Sequence, residues 1–332
     1  MQQKVSWIRQ VCFGFITVVA FFALLEGALR LADYPPGASY RPAPGAGWSL
    51  QPNLQASPMT HHESGTVFHV STDENGLRRT PSPPAPPPGC TFYRILLLGD
   101  SNTFGWGLEE DQTWAYSLQQ AFQDHAVQVI NAGMPGYTIV QCLELFRRVG
   151  TRYDPDMVIL SVGMHDIAPA PSNPPGSGPR AVAVDTRRSL LARSKLARLL
   201  RKILVAPPPH VQRPALDTNA HASETTPHPL KPPKVPPGEF EKALNVFCDL
   251  GDQAGFQVVT APIPGINTSS YRAIMRRLAG EGRLHHVALS PSTPYERLPG
   301  DPNHLGPRGA ARFGRDLAQA LAPLVPNPCK AR

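Results

Sequence analysis

The sequence predicts a three-layer α/β/α sandwich around a mostly parallel sheet, preceded by one N-terminal transmembrane helix. Three observations predict it. An uncharged run opens the chain, short apolar runs alternate with helical patterns from about residue 93, and the chemistry-bearing motifs fall where those apolar runs end. Strands alternating with helices build parallel sheets, and such sheets bind ligands beyond the C-terminal ends of their strands. The 332 residues accommodate one α/β domain with a membrane element and irregular segments, but not two full enzyme domains.

Residues 11–25 (VCFGFITVVAFFALL) carry no charge, and the apolar character continues to Leu31 past Glu26 and Arg30. A membrane-spanning helix needs about 20 such residues. Lys4 and Arg9 lie before the run, which places the N-terminus in the cytoplasm and the rest of the chain outside it. A cleaved signal peptide fits less well, because cleavage after Ala28 or Ala32 would put Glu26 or Arg30 at the −3 position, where a small residue is required. Residues 1–33 are therefore expected to form a single-pass membrane anchor, with the remainder outside the cytoplasm.

Residues 34–91 are rich in Pro, Gly and Ser, a composition that favours extended chain. They read as an exported tether, with a small hairpin around TVFHVST (66–72) and the turn signal Asp73-Glu74-Asn75-Gly76. The main domain spans 92–325. Its strands are expected at 94–98, 127–130, 157–161, 256–260 and 286–289, and its helices at 113–124, 139–149, 239–254 and 307–324. Residues 169–237 interrupt the pattern as an insertion carrying a basic amphipathic helix, LLARSKLARLLRKILV (190–205), which reads as a surface helix, a lid or a membrane-lying element. Residues 326–332 form a tail.

The net charge of +7 suits anionic partners such as lipid head groups or acidic polysaccharide. No nucleic-acid-binding motif is present, so nucleic acid is not an expected partner. The five cysteines, Cys12, Cys90, Cys142, Cys248 and Cys329, form no Cys-x-x-Cys pair. The last four could pair in any of three ways or remain thiols. His61-His62 and His285-His286 read as surface or core residues, since adjacent side chains in extended chain point apart. No metal or cofactor is implied.

Gly99-Asp100-Ser101 ends the first strand, where a serine on the turn into a helix presents its hydroxyl above the sheet edge, beside backbone N–H donors. A serine hydroxyl needs a base within hydrogen-bond reach to act as a nucleophile. Asp301-Pro302-Asn303-His304 precedes the last helix, and a carboxylate three residues before a histidine can fix the imidazole tautomer and leave the other nitrogen for the serine proton. Asn131-Ala132-Gly133 and Gly163-Met164-His165-Asp166 end the second and third strands.

Four blocks in this order make the chain, from about residue 93 to 324, resemble the SGNH, or GDSL-type, serine hydrolases. Ser101-Asn102-Thr103-Phe104-Gly105-Trp106-Gly107 and the upstream Asn75-Gly76-Leu77-Arg78 resemble the membrane-anchored bacterial branch of that family, which implies a single-pass location in a bacterial inner membrane with the catalytic domain periplasmic or extracellular. The resemblance implies a flavodoxin-like sheet, a nucleophile at Ser101, a base at His304 oriented by Asp301, and an oxyanion hole from the N–H groups of Ser101 and Gly133 with the side chain of His165. His165 stands where the family has asparagine, and Asp166 is expected to brace its loop. The implied activity is hydrolysis of a carboxylic ester on a small molecule, lipid or envelope glycan. An O-acyltransferase acting on an exported polysaccharide, and a catalytically degenerate glycan- or protein-binding member, are the alternatives.

Overall fold

The computed structural model describes residues 2–31, 39–61, 63–168, 194–196, 199–200, 233–265 and 268–326. They belong to two compact units, 1–38 with 183–213, and 39–182 with 214–332.

In the first unit, helix α1 (Gln2–Leu31) contains a 21-residue span, Arg9–Leu29, long and apolar enough to cross a membrane by length and composition. Its large side chains, among them Phe13, Phe15, Ile16, Phe21 and Leu24, are exposed. The carboxylate of Glu26 accepts hydrogen bonds from the backbone N–H of Lys195 (3.0 Å) and Leu196 (2.8 Å) and from Ser194 Oγ (2.9 Å). Of the basic helix expected at 190–205, only 194–196 and 199–200 fall within the described residues.

The second unit is built on a five-stranded, wholly parallel sheet. Four strands belong to its N-terminal part: β1 (Tyr40–Ala43), β2 (Gly47–Leu50), β3 (Ser57–Thr60) and β4 (Val67–Val70). The sheet itself comprises β5 (Tyr93–Gly99), β6 (Val127–Gly133), β7 (Met157–Ser161), β8 (Gln257–Thr260) and β9 (His285–His286), in the order β6-β5-β7-β8-β9. This is the 2-1-3-4-5 order of flavodoxin-like sheets, whose ligand crevice lies where the order reverses, between the first and third strands. Here those strands are β5 and β7, paired so that Gly99 lies opposite Ser161.

β5 reads as an unbroken apolar run because both of its faces are covered. Leu96 and Leu98 enter one core, Ile95 and Leu97 the other. The second core is closed by α3 (Trp114–Ala121) and the last helix, α8 (Pro307–Leu321), which meet where Trp114 stands edge-on to Phe313 (5.3 Å between ring centroids). The first is closed by α4 (Ile139–Arg148), α6 (Pro237–Ala254) and α7 (Ser269–Gly280). Helix α7 was not among the expected elements. It buries one stripe, Tyr271, Met275 and Leu278, while Arg276 and Arg277 are exposed.

The expected tether requires correction. Residues 40–79 form two antiparallel hairpins, β1 with β2 and β3 with β4. They are folded because their apolar residues are spaced to bury: Trp48, Leu50, Phe68, Val70 and Leu77 all join the first core. The turn at 73–76 closes with Asp73 Oδ1 accepting from the N–H of Asn75 and Leu77 (2.9 Å each). Gly76 has φ +86°, and a Cβ there would lie 2.6 Å from the carbonyl oxygen of Leu50, so only glycine fits. Beyond the turn, Arg78 bridges to Asn131 of β6, tying this segment to the sheet edge.

Cys90 is disulfide-bonded, while Cys12, Cys142 and Cys248 are free thiols. Cys329 and most of the C-terminal tail lie outside the described residues.

Candidate active site

Ser101 opens α2 (Ser101–Phe104), a single helical turn at the C-terminal end of β5. Asp100 is its N-cap, with Oδ1 accepting the N–H of Asn102 at 2.9 Å. Burial pushes the Asp100 carboxyl up to about 6, against that backbone hydrogen bond. Gly99 has no room for a side chain, since a Cβ would lie 2.5 Å from the Ser161 carbonyl oxygen and closer still to Thr103 Oγ1. The turn can therefore fold tightly against β7.

The opposite partner arrives just before α8 on a short hairpin, β10 (Arg297–Leu298) with β11 (Asp301–Leu305). Ser101 Oγ and His304 Nε2 are 2.6 Å apart. His304 Nδ1 bonds to Asp301 Oδ2, and Asp301 Oδ1 accepts the N–H groups of Asn303 (2.8 Å) and His304 (3.3 Å). Burial alone would raise the Asp301 carboxyl. The hydrogen bonds from His304, from the Asn303 backbone and from His61 outweigh it and hold the group ionised well below the usual carboxylate range. The three residues anticipated to act together thus meet at one sheet edge. Serine and aspartate are buried and the imidazole is partly open to solvent.

The side chain of Asn102 clamps the two halves. Its Nδ2 donates to the Asn303 carbonyl (3.0 Å), and its Oδ1 accepts the N–H of Leu305 (3.2 Å). Arg297 adds a second tie, donating to the carbonyls of Asn303 (3.3 Å) and Pro264 (2.7 Å).

The expected oxyanion donor Gly133 needs correction. Its N–H donates to Asn131 Oδ1 at 3.0 Å, and a Cβ there would lie 2.3 Å from the Phe104 nitrogen. Gly133 is therefore the contact point that lets α2 lie across β6, and its N–H is already taken. His165 lies in α5 (Met164–Ile167) just past β7, partly buried. Asp166 accepts the N–H groups of Ile139 (2.8 Å) and Gly163 (2.9 Å), bracing the loop as anticipated. Its burial pushes the carboxyl up to about 7, against those two hydrogen bonds.

Two residues of the N-terminal hairpins reach the site unanticipated. The guanidinium of Arg78 donates to the carbonyls of Phe104 (2.8 Å), Gly105 (2.7 Å) and Leu108 (2.5 Å) and lies over the Phe104 ring (4.7 Å). The other is His61, fully buried just past the end of β3, whose Nε2 lies 2.9 Å from Asp301 Oδ2. The residue was expected to be surface or core, and it is core. His62 lies outside the described residues. The glycines of the Ser101–Gly107 segment are the sequence signal for both contacts. A Cβ at Gly105 (φ +84°) would lie 3.2 Å from Arg78 Nη1, and one at Gly107 (φ +81°) 3.2 Å from His61 Cδ2.

His61, Asp301 and His304 place three potential metal-ligand atoms within 4.8 Å of one another. Both ring nitrogens, however, converge on one oxygen, Oδ2, an arrangement of two N–H donors on an acceptor rather than three ligands around a central ion.

No protein of curated function matches the chain. Among solved structures it is similar to a lipase/acylhydrolase from Enterococcus faecalis (14% identity, 71% of this chain and 98% of that one, TM-score 0.43). It is similar also to the psychrotrophic esterase EstA from Pseudoalteromonas sp. (12%, 70% and 98%, TM-score 0.42) and to the acetyl xylan esterase AlAXEase (14%, 69% and 99%, TM-score 0.41). The GDSL-like lipase/acylhydrolase family model matches residues 97–312, a span that runs from β5 into α8 and holds Ser101, Asp301 and His304. The chain belongs to the GDSL-like lipase/acylhydrolase family and is a hydrolase of ester bonds.

Proposed function

We propose that this protein is an exported, membrane-tethered serine esterase that removes an acyl group from envelope glycan or lipid through an acyl-Ser101 intermediate. The observation that carries the reading is the 2.6 Å contact of Ser101 Oγ with His304 Nε2, backed by Asp301 on the other ring nitrogen. With Nδ1–H held by the carboxylate, Nε2 is the basic nitrogen and accepts the serine proton as Oγ attacks the ester carbonyl. The tetrahedral oxyanion forms beside the Ser101 N–H and the 163–166 loop, where the His165 side chain is the candidate second donor. Collapse expels the alcohol, which takes the proton from His304. Water, deprotonated by the same imidazole, then releases the acid and restores the serine. A sugar hydroxyl in place of that water would give the acyltransferase reaction.

A small recess beside Asp100 is walled by Ser161, Val162, Met164, Pro262, Ile263 and Thr268. The exposed apolar surface of α1, with Lys4 and Arg9 before its uncharged stretch, supports a retained anchor with the catalytic unit outside the cytoplasm.

A fluorophosphonate probe tests the reading on the full-length protein in detergent, beside Ser101→Ala. Labelling that disappears in the variant is the expected result, with turnover of nitrophenyl esters by wild type alone. Absence of labelling in folded protein would refute the esterase reading and favour a binding role.

A further inference from the structure

We propose that His61 is a positioning residue of the catalytic centre, a second imidazole donor that shares the Asp301 carboxylate with His304. The proposal rests on the esterase reading of Ser101 above and adds a member that lies outside the family-matched span of 97–312.

The geometry assigns the hydrogen-bond roles. An ionised carboxylate can only accept, so the His61 Nε2 lying 2.9 Å from Asp301 Oδ2 must carry a proton. The other ring nitrogen is approached by the backbone N–H of Ser64 (3.2 Å) and lies 2.8 Å from Ser64 Oγ. The N–H donation makes Nδ1 the acceptor and Nε2–H the tautomer. The loop is built to hold this ring. It joins β3 to β4, with the His61 N–H donating to the Thr66 carbonyl (2.8 Å) and the Gly65 N–H to the His61 carbonyl (2.9 Å). Ser64 Oγ is in turn tied to Thr66 Oγ1 (2.8 Å). The ring is fully buried and stands edge-on to His304 at 6.0 Å, and the missing Cβ of Gly107 leaves room for it.

Asp301 thus has all its acceptor positions filled: two backbone N–H groups on Oδ1, two imidazoles on Oδ2. A carboxylate held from four directions cannot rotate away from His304, which is the positioning role. A second donor also draws off part of the negative charge that His304 would otherwise feel. The charged and titratable groups facing this cluster are Glu63, whose carboxylate lies 3.4 Å from His61 Nε2, Arg297 near Asp301, and Asp100 near His304. Without the His61 donor, Asp301 Oδ2 keeps only the His304 hydrogen bond and the carboxylate loses one of its four anchors.

Full-length wild type, His61→Leu and His61→Gln, all in detergent, decide the matter by steady-state ester hydrolysis across pH 5 to 9. The Leu variant keeps an apolar core but no donor, whereas the Gln amide can place an N–H near the position of Nε2. The expected result is a roughly ten- to hundredfold lower kcat for His61→Leu with KM little changed. His61→Gln should recover to within a few-fold of wild type. A Leu variant with wild-type kcat, or a Gln variant as impaired as the Leu variant, would overturn the proposal. A second measurement needs no turnover and no folded Leu variant. The ¹⁵N shifts of the ring nitrogens in Ser101→Ala protein should report His61 protonated at Nε2 and accepting at Nδ1. The opposite tautomer would overturn the proposal even if the enzyme were inactive, and wild type that neither labels nor turns over ester would count against the esterase reading alone.

Discussion

Replacing Arg78 by methionine should destabilise the catalytic unit although residue 78 lies outside the family-matched span. Methionine keeps most of the aliphatic stem against Phe68 and Phe104 and removes every donor. Three buried carbonyls, those of Phe104, Gly105 and Leu108, would each lose a charge-assisted hydrogen bond, although Gly105 keeps the Leu108 N–H (3.1 Å) and Phe104 the Asn131 amide (3.5 Å). A hydrogen bond to a charged group contributes about 1.5–3 kcal/mol net. Part of that is offset because the variant no longer has to bury a cation, whose desolvation in real proteins costs several kcal/mol. That cost is visible in the guanidinium, which burial pushes down to about 10 against the favourable influence of Glu110 and Glu109. The net loss, three charge-assisted hydrogen bonds less the relieved desolvation, should be about 3 kcal/mol. In a unit of this size that lowers Tm by roughly 6–12 °C. Near-UV circular dichroism during heating of the full-length protein in detergent would measure it, alongside ester turnover at a temperature where both proteins are folded. Turnover should fall as well, because the same carbonyls fix the C-terminal end of α2. A methionine variant whose Tm stays within about 2 °C of wild type, with unchanged turnover, would refute the reasoning.

Two further outcomes are expected. Asn102→Leu removes both hydrogen bonds that tie the Ser101 turn to the His304 strand, so kcat should fall about tenfold and stability by about 1–3 kcal/mol, read from kinetics and urea unfolding. For Asp166, the folded carboxyl is raised from 3.8 to about 7, so the unfolded chain loses its proton first as pH rises. The contribution of this group to stability is present below about pH 4 and is lost as pH rises through about 7. Asp166→Asn should flatten that part of the stability profile between pH 5 and 8, and an unaltered slope in urea titrations would contradict the assignment.

The central sheet was legible because its strands are apolar on both faces. Runs such as Ile95–Leu98 and Met157–Ser161 need no partner to be identified as buried, and the glycines and polar motifs that stop them mark the ligand edge. Ser101, Asp301 and His304 were legible for the same reason: each is fixed by its immediate neighbours, a cap at Asp100 or an i,i+3 contact. Gly133 was misassigned because a strand-end glycine announces close packing without saying whose acceptor takes its N–H, and here Asn131, two residues upstream, takes it. Of the hairpins of residues 40–79 only the strand and turn at 66–76 were legible; the rest was masked by scattered prolines and by the proline run that follows at 81–88, although alternate residues such as Phe68 and Val70 turn inward. Helix α7 was hidden by its arginines, which mask the buried stripe of Tyr271, Met275 and Leu278. His61 could not be found by any local pattern, since its partner lies 240 positions away. What the sequence does carry is the pair of glycines at 105 and 107, whose significance emerges only once their neighbours are known.

The hairpins set where the chain can be cut. A soluble fragment beginning at Tyr93 would retain the whole parallel sheet and all three residues of the serine–histidine–aspartate set, and would look complete against the family boundary. It would nonetheless take Phe68 and Leu77 out of the first core, uncover the Trp106 ring that Phe68 meets edge-on at 5.3 Å and the Phe104 ring under Arg78, and leave the Leu108 carbonyl without its donor. Expression work on this protein should therefore begin the soluble piece at or before Ser39. Poor solubility or low activity in shorter pieces would reflect a missing wall of the enzyme rather than the loss of α1.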